Sequence, residues 1–154
     1  MISFEYLWNV IRVQGGAYGS GFSNQVNGTM GFYTYRDPNA NRSVDMFRKT
    51  PEFLREFADS TESLENFIIG AIGNMEPIIT PRHVGAVTMV SVLRGKSYED
   101  EVIESREGLR TSKEDILAVA DLLEKVIADS GICIIGGKAQ LDAAKDKIDT
   151  VIEI

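Results

Sequence analysis

With a single histidine, a single cysteine and only four prolines in 154 residues, this sequence lacks the material for several kinds of chemistry. A catalytic zinc site takes three or four nitrogen, sulfur or carboxylate ligands, and His83 with the distant Cys133 does not supply a set. His83 stands between Pro81 and Gly85 and is expected at a loop or helix start. One cysteine gives no disulfide framework, and within the apolar run Ile132-Cys133-Ile134-Ile135 it is expected as a buried, unreactive thiol. Basic residues are also few, 16 against 23 acidic, for a net charge of −7. A nucleic acid backbone attracts concentrated lysine and arginine, so no nucleic acid partner is expected, and the scattered carboxylates read as solvated surface. No apolar run approaches the ~20 residues of a membrane span, so no membrane partner is expected. Glu5 and Arg12 interrupt the apolar start, so no signal peptide is expected either. These absences imply a reducing, aqueous compartment, either cytoplasm or an organelle matrix.

Two glycine-rich stretches fail as phosphate loops. In Gly131 to Lys138 the lysine follows Gly137 one place too late and is followed by Ala139 rather than serine or threonine. Gly15 to Gly21 follows a helix and opens a strand, the reverse of the order that places a pyrophosphate at a helix N-terminus.

What is present reads as one continuous α+β unit of ordinary composition, 44% apolar. Phe4, Leu7, Trp8 and Ile11 recur at helical spacing, predicting a helix over 4–13 that buries that stripe. Residues 17–26 and 28–36 form a predicted hairpin with a two-residue turn at Asn27-Gly28. Ala17, Gly19, Gly21 and Ser23 then make a small-residue face open to close packing by a helix or a substrate strand. Ser43 is the expected N-cap of the next helix, and Pro51 marks another helix start or a kink. Leu64, Phe67, Ile68 and Ile72 predict a stripe over 61–72. Helical patterns resume at 82–93 and 98–108, broken near Gly95. Ser112 with Asp115 is a capping-box variant, opening a helix whose apolar face is Ile116, Val119, Ala120, Leu123, Val126 and Ile127. A buried strand at 132–135, a helix at 139–147 and a final strand at 150–154 complete the expectation. It amounts to four strands and five to seven helices in a two-layer sandwich, with a mixed or antiparallel sheet and helices mainly on one face.

The richest segment is Ile11-Arg12-Val13-Gln14-Gly15-Gly16-Ala17-Tyr18-Gly19, where an apolar helix ends in glycines and a strand begins. Adjacent glycines let the backbone turn sharply and approach a ligand, so the long polar side chains on either side can converge. Two readings are open. The pair can grip a peptide backbone or an oxyanion, or Arg12 can cap its own helix while Tyr18 packs in the core.

The segment from Tyr6 to Gly19, with Tyr33-Thr34-Tyr35-Arg36-Asp37-Pro38-Asn39, resembles the last domain of the pitrilysin/insulinase-type zinc metallopeptidases, in their presequence-protease branch. The likeness continues through Ile68 to Gly73 and Pro77 to Pro81, and more weakly to the end. It implies a metallohydrolase-like domain, a C-terminal part that lacks upstream elements, and a clamshell enzyme whose N-terminal half carries an H-x-x-E-H zinc motif absent here. Arg12 and Tyr18 match the arginine and tyrosine that the C-terminal half supplies as catalytic residues, with Gly15, Gly16 and Ala17 as the adjoining substrate-binding corner. On this resemblance, zinc belongs to the intact enzyme and none to this chain. The expected partners are a peptide substrate and a zinc-bearing half or subunit. An apolar patch at Phe4 and Trp8 would favour self-association. A non-catalytic peptide-binding or assembly module is the alternative.

Overall fold

The computed structural model describes residues 1–25 and 27–152. They form two compact units, one of residues 1–60 with 117–154 and one of residues 61–116.

The first unit opens with a π-helix, Ile2–Val13, whose wide turn is shown by the bond from Gln14 N–H to Asn9 O, five residues back. The pitch decides which side chains are buried. Leu7 and Ile11 are fully buried, joined by Ile2, Tyr6 and Val10 at the margin of the core. Phe4 and Trp8, expected on that face, are 73% and 39% exposed, because the widened turn rotates them off the stripe that α-helical spacing predicts.

The hairpin follows as β1 (Gly19–Asn24) and β2 (Met30–Tyr35), antiparallel, with Gly21 opposite Tyr33 and Phe22 opposite Phe32. The turn is longer than the expected two residues. Gly28 takes a positive φ of 84° and donates its N–H to Gln25 O, while Gln25 N–H bonds Thr29 O. Phe22 and Phe32 meet at 4.9 Å, Phe32 stacks on Phe47 at 5.0 Å, and Ser20 Oγ donates to Leu7 O, so this face meets the π-helix and the core. On the small-residue face, Ala17 packs with Leu7 and Ile11 of the π-helix, as close packing by a helix predicts. A Cβ at Gly21 would fall 2.6 Å from the Tyr33 hydroxyl, so the cross-strand ring fills that space.

Helices α1 (Ala40–Arg48) and α2 (Thr50–Asp59) pack Val44, Leu54 and Phe57 inward, and Pro51 opens α2 as expected. Ser43 is not an N-cap. It lies buried inside α1 and donates its hydroxyl to Asp37 Oδ2, so the helix begins four residues earlier than the cap reading required.

The second unit contains α3 (Glu65–Met75), α4 (Pro81–Leu93) and α5 (Tyr98–Leu109), broken at Gly95 with φ 68°. His83 sits in the first turn of α4, as expected. None of the three helices has a buried residue, so the Leu64 to Ile72 stripe is not a core. α3 and α5 do approach closely, with a Cβ at Gly108 only 3.1 Å from Ile72 Cδ1. Ser112 N–H and hydroxyl both bond Asp115 Oδ2, and Asp115 N–H returns to Ser112 Oγ, opening α6 (Lys113–Ala128) as its sequence predicts. Ala120 and Leu123 are its buried residues.

The described residues thus give an α+β architecture with a two-stranded sheet, not four strands. Residues 131–137 carry no strand: Ile132 and Ile134 are half-buried, while Cys133 and Ile135 are exposed. The expected buried thiol is therefore on the surface. An apolar run becomes a strand only with a ladder partner, and here a cavity of about 1100 Å³ is lined by β2 on one side and by this run on another. The next helix is shorter than expected, α7 (Lys138–Ala143). Residues 150–152 are not strand, and residues 153–154 lie outside the described part.

Candidate functional site

The π-helix ends in a corner built to tight tolerances. Gly16 N–H bonds Arg12 O at 2.9 Å, Ala17 N–H reaches back to Ile11 O at 3.2 Å, and Gly16 holds a φ of 80°, the left-handed region that favours glycine. Gly15 is needed for another reason. A Cβ there would lie 2.4 Å from Ile11 O and 2.9 Å from Arg42 Nη1, so backbone and guanidinium occupy its space. Arg42 Nη1 in turn donates to Val10 O, one of the carbonyls the helix end leaves without an intrahelical partner. Asn39 Nδ2 ties the loop after β2 to Gly15 O at 3.0 Å. Of the three corner residues, Gly15 and Ala17 are buried and only Gly16 is at the surface.

The ladder is irregular where it leaves this corner. Tyr18 N–H donates to both Tyr35 O at 3.2 Å and Arg36 O at 3.3 Å, while Gly19 is the residue in register with Tyr35. The Tyr18 N–H is thus shared between two acceptors just before β1 begins. Strict alternation would send Tyr18 to the face of Ser20 and Phe22. Instead its ring meets Tyr35 edge-on at 5.9 Å and is 63% exposed.

Arg12 arrives at the same place. Its Cζ lies 3.8 Å from the Trp8 ring centre and 6.0 Å from that of Tyr18. The two sequence-predicted residues are brought together on one surface, and Trp8 has a use there that burial would have denied it. Sequence reasoning missed Arg36, whose Cζ lies 5.8 Å from the Tyr18 ring centre and 5.3 Å from that of Tyr35. The hairpin register was its signal: placing the turn one residue differently moves the residue opposite Tyr18 from Asp37 to Arg36.

Beneath the corner, Tyr6 donates its hydroxyl to Met46 O at 2.9 Å and stacks on Phe53 at 4.8 Å. Burial, reinforced by Glu52 and Glu56, raises its pKa to about 12, so it serves as a neutral structural phenol. The donor set does not fit a catalytic metal. His83 Nδ1 shares a 2.8 Å hydrogen bond with Thr80 Oγ1, and among the described residues no three histidine, cysteine, aspartate or glutamate side chains gather.

Comparison with known proteins shows the family of the chain. A family model described as the PreP C-terminal domain matches residues 1–138. Presequence protease 1, chloroplastic/mitochondrial, of Arabidopsis thaliana is 32% identical over 99% of this chain. Protein HypA of Clostridium perfringens is 29% identical over 98%, and the mitochondrial presequence protease of Drosophila melanogaster 28% over 88%. The chain spans only 13% to 16% of the length of these relatives. Among the described residues no helix is long and apolar enough to cross a membrane. The chain belongs to the presequence-protease C-terminal domain family.

Proposed function

We propose that this chain is the C-terminal part of a zinc-dependent endopeptidase that degrades short unfolded peptides, contributing Arg12 and Tyr18 to a site whose metal is held by an N-terminal half. The observation that carries this reading is the meeting of guanidinium and phenol on one exposed surface at the start of β1. The names of the relatives and the family match support the peptidase class. Because the donor set here does not fit zinc, the metal is assigned to the other half and the roles below concern this chain alone.

The exposed Tyr18 hydroxyl donates a hydrogen bond to the oxyanion that develops on the attacked peptide carbonyl. Arg12, its Cζ 3.8 Å from the centre of the Trp8 ring, has N–H groups to hold a second substrate carbonyl or to orient the phenol. Gly16, without a side chain, lets the peptide pass close to the backbone. Losing one oxyanion donor typically costs about 100-fold or more in rate. Tyr18→Phe in the protein that joins this chain to its zinc-bearing half is therefore expected to lower kcat by that factor with metal content unchanged. A near-normal kcat would remove Tyr18 from the reaction. The relatives' names and the lone exposed thiol favour a reducing compartment such as an organelle matrix or the cytoplasm.

A second reading, a non-catalytic peptide-binding or assembly module, is favoured by the outer edge of β2. Phe22 N–H donates to Ser3 Oγ rather than to β2, so Phe22 and Phe32 are a non-hydrogen-bonded pair, and by alternation Met30, Phe32 and Thr34 turn their backbone groups away from β1. No described residue pairs with that edge, and an extended segment could add to it. An in-frame H-x-x-E-H several hundred residues upstream supports the peptidase reading, the same motif in an adjacent gene supports a two-subunit enzyme, and its absence from both supports the module.

A further inference from the structure

Arg36 is held in an unusual conformation. Its φ of 48° makes it the one non-glycine residue with positive φ among the described residues, a sparsely populated state for a side chain with a Cβ. In a strand that continued regularly, Tyr35 and Arg36 would point to opposite faces. Here the guanidinium lies near both the Tyr35 and the Tyr18 rings.

Its charge is not neutralised locally. The adjacent carboxylate, Asp37, is committed elsewhere: Oδ1 accepts from Asn39 N–H and Oδ2 from the Ser43 hydroxyl. Among the described residues neither Arg36 nor Arg12 forms an ion pair or donates a hydrogen bond, although the chain carries a net charge of −7. Both lie within cation–π range of aromatic rings, an interaction that engages the charge of a guanidinium and not its N–H fork. Two such forks flank one exposed phenol. Arg36 also lines the cavity of about 1100 Å³, beside Gly16, Tyr35 and Pro38, so this corner opens onto space that a peptide can occupy.

We propose that Arg36 is a carboxylate-recognition residue of this site, binding an acidic group of the peptide whose backbone Arg12 and Tyr18 engage. The planar fork of arginine matches a carboxylate bidentately, which a carbonyl cannot reciprocate. An aspartate or glutamate side chain and a free C-terminus offer the same chemistry. The inference rests on the peptidase reading above, in the sense that it names a preference of that same site.

The test uses the protein with its zinc-bearing half and a set of matched peptides, comparing glutamate with glutamine at successive positions and C-terminal acid with amide. Arg36→Asn is the main variant, because asparagine tolerates positive φ, and Arg36→Lys retains the charge without the fork. The wild-type protein is expected to favour acidic peptides. Arg36→Asn is expected to raise KM for them about tenfold or more, leave KM for neutral peptides and kcat within about twofold, and so erase the preference. Arg36→Lys should restore it in part. Loss confined to the glutamate series or to the free-acid series identifies the source of the carboxylate. An acid-to-neutral ratio unchanged in Arg36→Asn overturns the proposal, and so does an equal loss for all peptides, which would mark a structural role. If Tyr18→Phe reduces kcat but the ratio does not move, this inference alone fails. If Tyr18→Phe is silent, the peptidase reading fails first.

Discussion

The Arg12 guanidinium lies 3.8 Å from the centre of the Trp8 ring, four residues earlier on the same π-helix. An exposed cation–π pair is worth about 0.5–1 kcal/mol, too little to matter for folding but enough to restrict a long side chain. Trp8→Ala is therefore expected to lower kcat/KM of the joined protein several-fold while the denaturation midpoint barely moves. Trp8→Phe should keep most of the activity. Unchanged kinetics in Trp8→Ala would show that the stacking does not position Arg12.

The pitch of that helix makes a separate prediction for stability. Leu7→Ala and Ile11→Ala remove fully buried side chains and should each cost about 2–5 kcal/mol. Phe4→Ala should change stability by less than about 0.5 kcal/mol, the usual range for exposed positions. Urea unfolding of the three variants distinguishes the π phase from an α-helical one, in which Phe4 would rank with the other two.

Gly15 and Gly21 both lack room for a methyl group, but their neighbours differ. At Gly15 the obstacle is the backbone carbonyl of Ile11, which cannot move without breaking the helix end. At Gly21 it is the tip of the half-exposed Tyr33 ring, which can swing aside. Gly15→Ala is expected to destabilise by about 1–3 kcal/mol or more, and Gly21→Ala by clearly less. Equal losses in thermal unfolding would refute the distinction.

Tyr6 couples the fold to alkaline pH. Its folded pKa of about 12 stands above the ordinary value of 10.0, so the folded state holds a proton that the unfolded chain releases first. Stability is fully present below pH 10 and declines as pH rises toward 12. Tyr6→Phe should lose the Met46 hydrogen bond, at about 0.5–1.5 kcal/mol near neutrality, and flatten the decline between pH 10 and 12. A slope unchanged in Tyr6→Phe would assign the alkaline loss to other groups.

Local chemistry made much of this fold legible in the sequence. Pro51 and Pro81 open helices, Gly95 breaks one, Ser112 with Asp115 caps another, and Asn27-Gly28 sits in the hairpin turn, because each is dictated by its own backbone constraint. Features that depend on geometry between elements were not. A π pitch cannot be told from an α pitch by apolar spacing, so α-helical spacing places Phe4 and Trp8 on the wrong side. The Ile132 to Ile135 run has the composition of a strand, but composition does not supply a ladder partner. The pairing of Arg12 with Tyr18 could be anticipated from the glycine corner that joins them. Arg36 could not, since its place depends on a one-residue register and on its own positive φ.

The exposed thiol of Cys133 is the one sulfhydryl in the chain, and it stands on the rim of the cavity beside β2. Within this chain it offers a single attachment point for a maleimide fluorophore. Emission from a dye there would report the arrival of a peptide in real time, independently of whether any bond is cut.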